Sequence, residues 1–361
     1  MDKLNFKNGK LTIMQISDAQ DTQWVRHTMV SMLEKACDKI NPDLVVFTGD
    51  NILGNHLDDY RFGSGKRNLK RKQEYKILKR ALRHVFRIPE ERAIPFAVIF
   101  GNHDDMNSFT KDEQADIFRA YKMNKGCENT GKLCGTYRLP VYSSDDSEKL
   151  LDLYMIDTAY MDKENDVCVN GVIPETVEWF RKQTAVAAQE GDANALMFMH
   201  IPLQEVCEFV DVDEENRQVS LRSDCIGKAG EPVTPVEQEN GFYDAVLENG
   251  KVSMIISGHD HTNNFIGEKD GIKFIATPAA SFRCYGSKDS RGVRVFEIDE
   301  NDPYNVNTYT VSMPELLGDN LITNIRYFWD ADEMEKTKYI TLGVAGAAAV
   351  VGGIIKKCRS K

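Results

Sequence analysis

The sequence predicts an α/β fold built on a substantial sheet, and three observations lead there. Continuous apolar runs of strand length recur at residues 11–16, 44–48, 95–100, 153–156, 195–199 and 252–256, the pattern of strands covered on both faces. Helical periodicity separates several of these runs. Each run also stops abruptly at polar residues: Asp18, Asp50, Asn102 with His103, Asp157, His200, and His259 with His261. In sheets with helical crossovers, functional groups gather just beyond the carboxyl ends of strands.

Taken in order, residues 11–16 read as the first strand. Trp24, Met29, Met32, Leu33, Ala36, Cys37 and Ile40 then recur at helical spacing until Asn41-Pro42 ends the segment. Residues 66–87 are strongly basic, and a solvated helix face is the favoured reading; the alternative is a surface that steers anionic substrate or meets anionic lipid headgroups. Residues 176–188 read as a further helix through Val177, Phe180 and Thr184. Residues 205–222 are an acidic insertion beside His200, either part of a substrate mouth or surface decoration. Residues 271–276, 292–298 and 306–311 read as strands around a Gly- and Ser-rich loop. After Ser312 the chain turns acidic and polar without core periodicity, which predicts a main domain over 1–311 and a linker over 312–338.

The last segment, 339–361, carries no charge from Tyr339 to Ile355 and then four basic residues in the final six. A helix over the uncharged part spans roughly 25 Å, at the short end for a bilayer. It reads as a membrane tail in preference to a soluble small-residue helix. The amino-terminal residues show no signal-peptide core, so the expected location is cytoplasmic, or membrane-associated through 339–355.

Composition narrows the class. Of 361 residues 42% are hydrophobic and 28% charged, and the net charge is −11. That charge argues against general nucleic-acid binding, which needs excess Lys and Arg. The eight cysteines contain no CxxC pair, which speaks against a thiolate zinc site; reduced thiols are expected, with Cys127 and Cys134 a loose pair. There is no GxSxG elbow, P-loop or dinucleotide-binding glycine fingerprint.

The polar blocks at the strand ends carry the chemistry. They are Ser17-Asp18-Ala19-Gln20, Thr48-Gly49-Asp50-Asn51, Phe100-Gly101-Asn102-His103-Asp104, Met199-His200-Ile201-Pro202 and Gly258-His259-Asp260-His261. Metal-assisted phosphate hydrolysis uses two cations about 3.5–4 Å apart that share a carboxylate. It therefore needs Asp, Asn and His brought together from several strand ends. Singly, each block has a bland reading as a turn or cap; five in succession, each after an apolar run, do not.

In this order the blocks resemble the signature of the calcineurin-like metallophosphoesterase superfamily, over roughly residues 11–300. Val177-Glu178-Trp179-Phe180, His200-Ile201-Pro202-Leu203 and Arg291-Gly292-Val293-Arg294-Val295 are similar to its purple-acid-phosphatase-like branch. The resemblance implies a four-layer α/β/β/α sandwich of two mixed sheets flanked by helices. It implies a first divalent ion on Asp18, Asp50 and His261, and a second on Asp50, Asn102, His200 and His259, with Asp50 as the bridge. It also implies His103 as the proton donor beside the leaving group and in-line attack by a metal-bridging hydroxide. Such ligands suit manganese, iron or zinc, and the partner expected is a phosphorylated small molecule or phosphoprotein.

Two positions depart from the family. Gln20 stands where the first motif normally has His: it ligates the first metal, or hydrogen-bonds a water on it, or marks a loosely binding site. Leu53 stands where purple acid phosphatases carry an iron-binding Tyr, so no tyrosinate colour is expected. Besides a phosphatase, the sequence leaves open a degenerate, non-catalytic metal-binding module and a phosphodiesterase or nucleotide pyrophosphatase. Asp157 matches no ligand position and reads as structural; Asp104 reads as a cap or as a residue orienting His103, while Asn51 and Asp260 stay undecided.

Overall fold

A computed structural model describes residues 3–60, 65–162, 167–213 and 215–341. In chain order its strands are β1 (Leu4–Asn5), β2 (Lys10–Ile16), β3 (Leu44–Thr48), β4 (Phe96–Ile99), β5 (Tyr137–Tyr142), β6 (Lys149–Ile156), β7 (Ala159–Asp162), β8 (Val167–Asn170), β9 (Asn194–Met199), β10 (Val210–Val212), β11 (Val219–Leu221), β12 (Ile226–Lys228), β13 (Val252–Ser257), β14 (Asn264–Lys269), β15 (Ile272–Ala276), β16 (Gly292–Asp299) and β17 (Asp302–Ser312). The α-helices are α1 (His27–Ile40), α2 (Arg71–Glu91), α3 (Lys111–Arg119), α4 (Pro174–Glu190), α5 (Phe242–Asn249), α6 (Met313–Leu317) and α7 (Leu321–Asp330).

Two mixed sheets form the centre. One has the order β17-β16-β2-β3-β4 and the other β1-β5-β6-β9-β13-β15-β14-β12. In the first, β2, β3 and β4 run parallel while β16 and β17 run antiparallel. In the second, β6, β9, β13 and β15 run parallel. The helices α1, α2, α6 and α7 group over the smaller sheet, and α4 and α5 over the larger, completing the α/β/β/α sandwich. The parallel strands in each sheet are apolar throughout because both faces are covered. Phe47 on β3 is enclosed by Phe86 of α2 and Phe96 of β4 at ring separations of 5.0 and 5.9 Å; burying such a ring is worth about 1.5–3 kcal/mol.

The helix ends follow local chemistry. Asn41 closes α1 in the left-handed conformation, which Asn tolerates better than most residues. Thr110 with Glu113 and Ser312 with Glu315 form capping boxes on α3 and α6. The basic residues of 66–87 fall mainly on α2, which buries Ile77, Leu78, Ala81, Leu82, Val85 and Phe86 and leaves most of its charges outward.

A buried polar ladder ties the two sheets together below the strand ends. Gln15 of β2 donates to Thr48 of β3 at 2.9 Å and accepts from Thr277, past the end of β15, at 2.7 Å. Arg294 of β16 donates to Thr277 at 3.0 Å and to Asn264 of β14 at 2.5 Å. Each buried polar group here has a partner, and breaking one leaves the other stranded.

The stretch 312–338, expected as a linker, is instead folded. It forms α6, α7 and a helix beginning at residue 333, and it buries Met313, Tyr327 and Ala331 in the core. Its remaining anchors are polar: Arg291, fully buried, donates to Asp332 at 2.8 Å. A segment held by a few large residues and an ion pair shows no apolar period, so the pattern misreads it. The expected membrane tail lies, beyond residue 341, outside the described residues. Among the described residues no helix is long and apolar enough to cross a membrane. Cys37, Cys127, Cys134, Cys207, Cys225 and Cys284 are free thiols.

Candidate metal centre

Five polar blocks follow β2, β3, β4, β9 and β13, and the sandwich brings these strand ends to one edge. Backbone bonds lace the loops together: Gln20 N–H to the Asp50 carbonyl at 2.8 Å, Asp18 N–H to Gly49 at 3.2 Å, and Gly258 N–H to His200 at 3.0 Å. The chain must turn sharply as it leaves each strand. Asp18, Gln20, Asp50 and His259 all take positive φ, at 51°, 38°, 48° and 72°. Outside glycine this region is sparsely populated and costs about 1–3 kcal/mol per residue, and it concentrates at functional sites. Close approach requires glycine at two neighbours. A Cβ on Gly101 would lie 2.2 Å from Oδ1 of Asp50, and one on Gly258 would lie 1.7 Å from Oγ of Ser17.

The side chains converge. Nδ1 of His200 donates to the Thr48 carbonyl at 2.9 Å, which in the neutral ring leaves Nε2 with a free lone pair. That Nε2 faces Oδ1 of Asn102 at 3.1 Å, Nδ1 of His259 at 3.2 Å and Oδ1 of Asp50 at 3.4 Å. His261 repeats the device: its Nδ1 donates to the Tyr285 carbonyl at 2.9 Å, and its Nε2 lies 3.5 Å from Oδ1 of Asp18. The ring of Tyr285 stacks on His261 with centroids 4.2 Å apart, fixing its plane. Asp18, Asp50 and His200 each offer a ligand atom, all within 4.8 Å of one another, and all three are buried.

This donor set fits divalent cations. Lone pairs of buried carboxylate, amide and imidazole groups point at one another, which is unfavourable unless positive charge lies among them. Oδ1 of Asp18 and Oε1 of Gln20 are buried without a hydrogen-bond partner. In the protein alone the positive charge is a proton. Burial by itself would lower the pKa of His200, but Asp50 and Asp18 raise it to about 10. Burial opposes the ionisation of Asp18 as well, yet His200 and His261 hold it well below the usual carboxylate range. His259, set against His200 with little compensation, is pushed down to about 4, first by burial.

Residues 11–263 match the sequence model of the calcineurin-like phosphoesterases. The chain belongs to that family. A relative from Arabidopsis thaliana named probable inactive purple acid phosphatase 29 is 25% identical over 83% of this chain and 79% of its own length. Phosphatase DCR2 of Saccharomyces cerevisiae is 25% identical over 77% of this chain, which spans 47% of that longer protein. The structure of a dimetal phosphatase from Danio rerio covers 84% of this chain and 99% of its own, with 14% identity and a TM-score of 0.48, a likeness of fold only.

In this calcineurin-like phosphoesterase, Asn102, His103, His200, His259 and His261 lie beside Asp18, Gln20 and Asp50. His103 donates its backbone N–H to Oδ1 of Asp50 at 2.8 Å, and its Nδ1 has no partner. Its side chain shares a cavity of about 510 Å³ with Gln20, Asp50, His259 and His261. Among its described residues the acidic insertion at 205–222 contributes none to this lining; the outer wall comes from Arg283, Cys284, Tyr285 and from Asp332, Glu333 and Met334.

The supporting residues were harder to read from sequence. Asp104 accepts from the backbone of Asn51, Ile52 and Gly101 at 3.2, 3.1 and 2.9 Å, so it clamps two motif loops together. Asn51 turns away from the cluster to the Ile99 carbonyl and Asp104. Asp260 accepts from Thr234 and Asn263. Asp157 is ion-paired with Lys111, which also reaches Asp105. Asp21 and Tyr285 carried no signal: Asp21 pairs with Arg283 in the cavity wall, and neither belongs to a motif.

Proposed function

We propose that the chain is a phosphoric ester hydrolase dependent on two divalent cations, manganese, iron or zinc. The first ion is assigned to Asp18, Asp50 and His261, with Gln20 alongside, and the second to Asp50, Asn102, His200 and His259. The observation that carries this reading is the aim of His200: its Nε2 meets three other ligand atoms within 3.4 Å while its Nδ1 is held by a backbone carbonyl. A site built only for packing would not turn four lone pairs inward.

When bound, such ions supply Lewis-acid stabilisation of phosphoryl oxygens and acidify water. The chain's own residues position the ester. The cavity admits a phosphate ester, and the guanidinium of Arg283, ion-paired with Asp21, stands in its wall. His103, with an unpartnered ring nitrogen, donates a proton to the leaving oxygen, a role worth about 10²–10⁴-fold in rate.

Two observations favour a second reading. Relatives of this chain carry names with the words "probable inactive", and Gln20 departs from the family's His. On that reading the site binds metal without turnover. Retention of His103 speaks against it, since a binder has no use for a proton donor. The test is hydrolysis of an aryl phosphate with added manganese, comparing wild type with His103→Ala. The proposal expects wild-type turnover and a loss of about 10²-fold or more in the variant with metal content unchanged. Absence of wild-type turnover of aryl phosphate mono- and diesters with manganese, iron and zinc alike, in protein that still binds metal, would favour the binding module.

A further inference from the structure

Helix α7 carries its apolar residues on the outside. Its inner face sets Thr323 and Tyr327 into the core, with the Tyr327 ring edge-on to Phe282 and its hydroxyl on Glu335 at 3.1 Å. At 3.6 residues per turn, Leu321, Ile322, Ile325 and Trp329 fall together on the opposite side. They are 75, 64, 48 and 69% exposed. Single exposed apolar residues are ordinary, but four large ones on one helix face mark a surface that meets something else. The one acidic residue of the helix, Asp330, turns inward to accept from the Thr28 amide at 2.7 Å, so no carboxylate interrupts the stripe.

We propose that this face of α7 lies on a lipid bilayer, with Leu321, Ile322, Ile325 and Trp329 inserted at the boundary of headgroups and acyl chains. The following chain identifies the occupant. From Tyr339 to Ile355 it has no charged residue, and Lys356, Lys357, Arg359 and Lys361 come next. An exposed apolar helix face leading into an uncharged stretch and a basic cluster matches the chemistry of anionic membrane surfaces. Trp and long aliphatic side chains are also the residues that favour the membrane interface. Because Asp332, Glu333 and Met334 line the metal-site cavity, such seating brings the mouth of the site close to the membrane. The inference does not depend on catalysis.

The test uses the full chain and sedimentation with phosphatidylcholine vesicles, with and without phosphatidylserine. Wild type is expected to co-sediment, more strongly with phosphatidylserine. The double variant Ile325→Asp/Trp329→Asp is expected to lower the partition at least about ten-fold, with circular dichroism and elution volume unchanged. Should that variant misfold, Trp329→Phe in otherwise wild-type chain gives a second readout: quenching of tryptophan fluorescence by brominated lipid must fall. Partition of the double variant equal to wild type would overturn the proposal, leaving the tail alone as the lipid contact. So would a dimer in lipid-free buffer that the double variant splits while partition stays the same, which makes the face a contact between copies.

Discussion

The side-chain amide of Gln20 donates to Oδ2 of Asp50 at 2.8 Å, while the buried carbonyl oxygen of the same amide has no partner. Gln20 therefore holds one oxygen of the shared carboxylate and keeps a neutral acceptor beside the site assigned to the first ion. Imidazole is the stronger donor for a transition metal. Gln20→His is expected to tighten the first site by about 10–100-fold, the scale on which residues around a metal act. Titration of activity against added manganese measures it, and an unchanged metal requirement argues against a role for residue 20 at the ion.

Gly101→Ala tests the packing beneath Asp50. The added Cβ would meet Oδ1 of Asp50 at 2.2 Å and its backbone nitrogen at 2.4 Å. Asp50 cannot move aside without losing the His103 amide and the Gln20 side chain. The expected result is destabilisation by about 1–3 kcal/mol together with weaker metal binding. Denaturant unfolding and metal titration of the same sample read both; loss of one alone shows that the loop adapts.

Protonation links the site to pH. In the metal-free protein the pKa of His200 is raised from 6.5 to about 10: burial lowers it, and the neighbouring Asp50 and Asp18 more than reverse that. A raised folded-state pKa contributes stability that is fully present below about pH 6.5 and is lost as pH rises towards 10. The metal-free midpoint of thermal unfolding is thus expected to fall between these values. Metal binding must expel that proton, so affinity rises with pH over the same window. Calorimetry in buffers of differing ionisation enthalpy counts the proton released; none released at neutral pH contradicts this assignment.

Arg291 is enclosed by Asp332, by the Cys284 carbonyl at 3.1 Å and by the ring of Phe282 at 5.1 Å. Asp332→Ala leaves its charge buried and is expected to cost about 3–5 kcal/mol, whereas Arg291→Met/Asp332→Leu should cost much less. Because this pair holds residues 332–334 against the cavity, the single variant should also raise KM. Equal stability of single and double variants would show that water reaches the guanidinium.

The strand ends were legible because an apolar run followed by Asp, Asn or His is a local pattern, and the sheet alone brings the runs together. The same logic placed β2, β3, β9 and β13 nearly to the residue. Asp104 was not legible: its partners Asn51, Ile52 and Gly101 lie on another loop as well as its own, and nothing local marks a clamp. Tyr285 and Arg283 sit in a Gly- and Ser-rich stretch whose path only the fold determines. Helix α7 failed for the opposite reason, since its apolar residues face outward and its inner anchors are Thr323, Tyr327 and, just beyond, a charged Asp332.

On the proposed assignment Asp50 holds two ions at once. Metal analysis of freshly purified wild type and Asp50→Asn, each normalised to folded protein, tests it most directly. Two divalent ions per chain are expected in wild type and loss of both affinities in the variant, because removing the shared carboxylate weakens each site. A single ion per chain that survives Asp50→Asn would contradict it.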